Sequence, residues 1–201
     1  MSHLVIRPLT LACLGIAVAV SALHAQSDWT FQTRAIVTGS SDRSDPTGYT
    51  VYTALAWEAG IARTMPRGFA IELSVRTESR EVDLAAPPGP DLRLGSLEVV
   101  PVNLLVRYAL PPRRTVRPYV GLGATLTMVW EKSGALDADG FSPSIGPAVE
   151  GGVDVELTPT VLLTGIFRWN VWRTDRRVAG VTVATLKIDP ATLGVGLAFR
   201  L

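Results

Sequence analysis

Residues 193–201 read Leu193-Gly194-Val195-Gly196-Leu197-Ala198-Phe199-Arg200-Leu201, with an apolar side chain at every odd position and glycine, alanine or arginine between them. Successive side chains of a strand point to opposite faces. This stretch is therefore a strand with one apolar face and one small or polar face, running to the last residue. In a closed barrel surrounded by lipid the terminal strand pairs with the first, and no backbone polar group is stranded in hydrocarbon. The stretch predicts the closing strand of a transmembrane barrel.

The other end of the sequence points the same way. Arg7 precedes a mostly apolar run from Leu9 to Leu23, and Ala25 stands before polar Gln26 and Ser27. A charged start, an apolar middle and a small-residue cleavage site make up an export signal. The expectation is a signal peptide over residues 1–25, with a cut after Ala22 as the alternative, and a barrel domain over 26–201. The apolar run is shorter than the roughly 20 residues a membrane-spanning helix needs, and no later run supplies them. A lipoprotein reading of Cys13 finds a poor match in Thr10-Leu11-Ala12 before it.

Composition narrows the chemistry. Once Arg7 leaves with the signal, 18 basic residues balance 18 acidic ones, and only Lys132 and Lys187 of the basic set are lysines. There is no block of like charge, so a nucleic-acid partner has no electrostatic footprint. Cys13, His3 and His24 all lie in the expected signal. A mature chain lacking both residue types has no disulfide, thiolate or imidazole ligand, and no Ser–His pair. No enzyme activity, metal or cofactor is expected.

Eight segments alternate like strands: 29–38, 49–62, 69–83, 92–110, 116–130, 145–157, 160–174 and 186–201. Phe69, Ile71, Leu73 and Val75, opposite Ala70, Glu72, Ser74, Arg76 and Glu78, give the cleanest example. Three connections are short, around Pro66, Pro111-Pro112 and Pro159. Four are longer: 39–48, the proline-rich 85–91, the polar 131–142, and 175–183. Short turns alternating with long loops describe an up-and-down barrel with periplasmic termini and outward loops. The expected fold is all-β, an eight-stranded antiparallel up-and-down transmembrane β-barrel of the bacterial outer membrane. A soluble lipocalin-like barrel shares the periodicity but turns its apolar face inward; the export signal and the terminal strand favour the membrane reading.

From Pro101 onward the chain resembles the outer membrane protein W (OmpW) family. The resemblance rests on four pieces: Arg117-Pro118-Tyr119-Val120-Gly121-Leu122-Gly123; Ser144-Ile145-Gly146-Pro147-Ala148 with Gly151-Gly152-Val153-Asp154; Leu186-Lys187-Ile188-Asp189-Pro190; and Gly194 to Leu201. Two features depart from the family's pattern: the last residue is Leu201 rather than an aromatic, and the seventh strand carries Arg168, Asn170 and Arg173. The resemblance implies a narrow eight-stranded barrel and passive passage of small hydrophobic solutes across the outer membrane. Its alternative is a surface receptor or an envelope-stabilising barrel. A lipid-modifying enzyme stands third, with the missing histidine against it. Eight strands leave an interior that side chains can fill, so a wide aqueous pore is not expected.

Candidate lumen residues follow from parity. Glu72, Arg76, Glu78, Arg107, Glu150, Asp154, Glu156 and Arg168 face inward. They form either a charged plug or a proton-linked site, the simpler reading being mutual neutralisation, since buried charges must be paired. Trp57, Trp130, Trp169 and Trp172 either line an apolar entry path or form an interfacial aromatic girdle, the girdle being the simpler reading; Trp172, on the inward parity near a loop, and Leu186 are the better candidates for an apolar lining. Gly121, Gly123, Gly194 and Gly196 alternate within strands and precede no helix, which excludes a phosphate loop. Gly196, Phe199 and Leu201 are the expected assembly signal. The expected partners are outer-membrane lipids, the barrel-assembly machinery and small hydrophobic solutes.

Overall fold

The computed structural model describes residues 28–39, 49–84, 92–111 and 114–201. The expected signal peptide and both cleavage positions lie outside the described residues, as do most of the first two long loops. Twelve strands are present among the described residues: β1 (Trp29–Gly39), β2 (Tyr49–Val51), β3 (Ala54–Thr64), β4 (Phe69–Leu84), β5 (Leu92–Ala109), β6 (Val116–Lys132), β7 (Gly140–Phe141), β8 (Ser144–Glu156), β9 (Val161–Asn170), β10 (Arg173–Val178), β11 (Val181–Lys187) and β12 (Ala191–Arg200).

Eight of them close on themselves. The wall runs β1, β3, β4, β5, β6, β8, β9, β12 and back to β1, every neighbour antiparallel. The closing seam pairs Thr30 with Arg200 and continues to Gly39 with Ala191. Gly196 sits opposite Arg34 in that seam, and a Cβ there would collide with the Thr33 carbonyl oxygen. Only glycine lets the two strands approach so closely.

The alternation separates two environments. Outward residues such as Leu55, Leu73, Leu104, Leu122, Ile145 and Leu193 are exposed all around the wall, Leu55 and Ile145 to 77 %. A continuous apolar band of that extent belongs in lipid rather than water. Exposed aromatics mark both rims of the band. Trp57, Trp130 and Trp169 lie towards the long loops; Trp29 and the tilted pair Phe69–Tyr108, with ring centroids 5.0 Å apart, lie towards the short turns. Inward residues are buried; most are small, polar or charged, with large apolar ones such as Ile36, Leu105 and Leu97 among them.

The turns explain themselves locally. Thr64 to Gly68 closes β3 onto β4 through a single 3-10 turn, with Arg67 at φ 65° and Gly68 at φ 82°. Leu157 donates its N–H to Val161 O at 3.0 Å across the β8–β9 turn. The loop side differs from the sequence expectation. Residues 175–183, read as a loop, belong to the hairpin β10–β11, which joins β7 in a separate three-stranded sheet. Its Val- and Thr-rich β11 favours a strand, and Ala179-Gly180, both at positive φ, make the turn. The expected seventh and eighth strands are interrupted where they leave the barrel, at Val171-Trp172 and at Ile188-Asp189-Pro190, bridged by Ile188 N–H to Trp172 O at 3.0 Å.

Candidate functional site

The middle of the lumen holds one connected set of ion pairs. Glu58 on β3 receives Arg34 of β1 at 2.8 Å, Arg168 of β9 at 2.6 Å and Arg76 of β4 at 3.8 Å. Glu72 meets Arg34 at 3.2 Å, Arg168 at 3.6 Å and Arg107 of β5. Glu150 of β8 takes Arg107 and Arg168, each at 2.6 Å. Glu78 extends the set towards the loops through Arg76 at 3.2 Å and Arg80 at 2.8 Å. Asn103 donates to Ser74 Oγ at 3.2 Å and accepts from Thr125 Oγ1 at 2.8 Å, drawing in β6. All these side chains are buried.

Such a network is rigid for an electrostatic reason. Each charge has lost its water, a loss of several kcal/mol, and only its partners offset that. Opening a water-sized passage between Arg168 and Glu58 would leave unpaired charges in a low dielectric. The lumen is shut at this level. On its turn side, Tyr119 of β6 lies over Gly152 of β8, where a Cβ would overlap the ring, and the Arg107 guanidinium lies 4.4 Å from the ring centroid.

Above the charges, towards the loops, the lumen turns apolar. Val82, Leu94, Leu97, Val99, Leu136, Trp172, Leu186 and Ile188 form one buried cluster, with Leu84, Val129 and Phe141 against it. Leu136 comes from the turn Gly134–Leu136 between β6 and β7 and is buried within the layer. Trp172 is 2 % exposed, and Arg80 lies 5.7 Å from its ring centroid, so the charged and apolar layers meet at these two residues.

The candidate lining residues therefore divide. Glu72, Arg76, Glu150 and Arg168 come together in the ion-pair network, with Glu78 and Arg107. Trp172 and Leu186 come together in the apolar layer. Asp154 stands apart on the turn side, partly exposed, without an ion pair among the described residues. Glu156 lies at the turn-side rim, paired with Arg117 at 2.9 Å. Gly196 and Phe199 sit in the closing seam, Phe199 opposite Phe31 and facing outward. The Leu201 N–H reaches Trp29 O at 3.0 Å.

Arg34, Glu58 and Arg80 escaped the sequence reading as lumen candidates, and so did most of the apolar layer. Strict parity contains both. Counting two by two from Glu72 gives Ser74, Arg76, Glu78, Arg80, Val82 and Leu84, a face that turns from charged to apolar towards the loops. Among the described residues no group of three metal-ligating side chains stands together.

One ladder of the wall is interrupted beside this border. Between β4 and β5 the ladder pairs Val75 with Val102 and Glu78 with Val99, but skips Arg76 and Thr77 opposite Pro101 and Val100. Pro101 has no N–H to give to a ladder. On its other side β4 pairs with β3 only up to Trp57 opposite Thr77, and pairing resumes at Val82 with Val51 of β2.

Comparisons with known proteins agree with this architecture. The OmpW family model matches residues 32–201. The fold is shared with the outer membrane protein OprG from Pseudomonas aeruginosa, at TM-score 0.75 and 18 % identity, covering 89 % of this chain and 97 % of that one. It is also shared with the outer membrane protein AlkL, at TM-score 0.61 and 20 % identity, covering 89 % and 92 %. In sequence, the uncharacterized outer-membrane protein y4mB of Sinorhizobium fredii is 27 % identical over 114 residues, 53 % of this chain. The chain spans about half the length of that curated relative, with 49 % covered. The chain belongs to the OmpW family and is an outer-membrane β-barrel of that family.

Proposed function

We propose that this barrel is a passive channel for small hydrophobic molecules, which are admitted from the loop side, reach the apolar layer and leave sideways into the membrane. The observation that carries the reading is the apolar layer seated directly on a closed ion-pair plug, beside the interrupted β4–β5 ladder. An apolar solute gains by leaving water for the layer around Leu97, Val99 and Trp172. It cannot continue down the axis through buried charges. The unpaired stretch at Arg76-Thr77 and Val100-Pro101 lies at the level where its axial path stops, and lipid lies outside.

The test is uptake. Cells lacking other hydrophobic-solute barrels should take up a small hydrocarbon faster when this protein is produced and folded, and a hydrophilic sugar no faster. Equal hydrocarbon uptake with and without folded protein, across several compounds, overturns the channel. The role proposed is transport rather than catalysis.

A receptor role is favoured by one observation: the β10–β11 hairpin ends in exposed Val178, Val181 and Val183 beyond the barrel. Shortening that hairpin at residues 177–182 separates the two readings. The channel reading expects hydrocarbon uptake to persist, whereas a receptor would lose its ligand.

A further inference from the structure

We infer that the border between the two layers is a binding site for the acidic head of a small amphiphile, with Arg80 and Trp172 as the donors. The inference rests on the reading that solutes reach the apolar layer, and it names the class of solute held there. Arg80 is fully buried and uses only Nε, which donates to Glu78 Oε1 at 2.8 Å. Among the described residues its Nη1 and Nη2 have no hydrogen-bond partner, and neither does the indole Nε1 of Trp172 beside it. Burying donors without acceptors is costly, all the more so for a charged group. An unfilled set of this kind calls for a ligand or an unseen acceptor.

The charge at this end of the network is also out of balance. Glu78 stands alone between Arg76 and Arg80, while Glu58, the other carboxylate near Arg76, is already shared with Arg34 and Arg168. Among the described residues the connected set holds five arginines, Arg34, Arg76, Arg80, Arg107 and Arg168, against Glu58, Glu72, Glu78 and Glu150. The surplus positive charge faces the loops. A carboxylate suits it, because a guanidinium fork offers two parallel N–H groups to two oxygens and the indole N–H offers a third donor. The surroundings fix the rest of the ligand. Val82, Leu97, Val99, Leu186 and Ile188 line the approach, so the group attached to the acid must be apolar. Its tail takes the space that Leu136 fills, and the turn Gly134–Leu136 gives way as it enters.

The test is equilibrium dialysis of labelled decanoate against the full barrel in lipid nanodiscs, with protein-free nanodiscs subtracted. Decan-1-ol keeps the tail without the charge, and acetate keeps the head without the tail. The inference expects decanoate to bind at least tenfold more tightly than decanol, with acetate failing to displace it at equal concentration. In Arg80→Gln the preference for decanoate should vanish. In Trp172→Phe, which keeps the packing and loses one donor, it should fall severalfold; this second variant serves if Arg80→Gln does not fold. Exposed Arg93→Gln should bind as the unaltered protein does. Equal binding of decanol and decanoate, displacement by acetate alone, or an unchanged preference in the folded variants would each overturn the inference. Binding needs no transport. Arg80-dependent decanoate binding without hydrocarbon uptake would remove the channel and keep the site; uptake with Arg80-independent binding would do the reverse.

Discussion

Arg168 of β9 and Glu58 of β3 meet at 2.6 Å although their strands are not neighbours in the wall; β1 and β12 lie between them. Their contact therefore crosses the lumen instead of running along its surface. Around it, arginines and glutamates from six of the eight barrel strands pair with one another and close the axis of the barrel.

Breaking that contact should be expensive. Glu58→Gln removes the shared partner of Arg34, Arg76 and Arg168, and loss of one member of a buried pair costs on the order of 3–5 kcal/mol. Arg93→Gln breaks a pair in which both side chains are more than half exposed, where about 1 kcal/mol or less is expected. Urea unfolding in lipid vesicles compares the two. Equal stability losses would show that the network does not hold the barrel together.

The outward face is tested at Leu73, which is exposed and lies between Ile61 and Leu104 in the wall. Leu73→Arg should lose roughly 2–4 kcal/mol in bilayers, the cost of arginine at the lipid-facing midplane. A negligible loss in the same unfolding assay would place that face outside the hydrocarbon. Its inward neighbour Ser74 is no neutral control, because it hydrogen-bonds Asn103 inside the network.

The alternation of side chains made the eight barrel strands legible, since a period of two is imposed wherever lipid lies on one side and a filled lumen on the other. Parity also placed Glu72, Arg76, Glu150 and Arg168 inside. It did not disclose which charges meet, because Arg34, Glu58 and Arg168 are distant in sequence and become neighbours only when the barrel closes. The β10–β11 hairpin was hidden by Asp175, Arg176 and Arg177, whose charge reads as loop. Arg176 in fact pairs with Asp139 at 2.6 Å. Leu136 was hidden inside a polar stretch; a single apolar residue has no period to betray its burial.

Assembly is expected to depend on the closing strand. Phe199→Asp puts a charge on the outward face, removal of Leu201 deletes its hydrogen bond to Trp29, and Gly196→Val forces a side chain against the Thr33 carbonyl. Each should sharply lower the heat-modifiable, folded fraction recovered in the outer membrane. Normal amounts of folded barrel for all three would remove the assembly role of these residues.

Leu136 should govern access to the apolar layer. Leu136→Ala empties the outermost part of that layer while leaving the barrel wall untouched, so hydrocarbon uptake should rise severalfold. Unchanged or slower uptake by folded protein would mean that solutes do not pass this residue.

The sideways route is the central claim, and a reversible seal tests it most directly. Thr77 and Val100 fall opposite each other in the unpaired stretch between the Val75–Val102 and Glu78–Val99 pairs. The sole cysteine, Cys13, lies in the expected signal, so Thr77→Cys with Val100→Cys supplies one disulfide across the gap. Hydrocarbon uptake should fall severalfold when the pair is oxidised and recover on reduction. Uptake that is the same in the oxidised and reduced barrel would contradict lateral exit between β4 and β5.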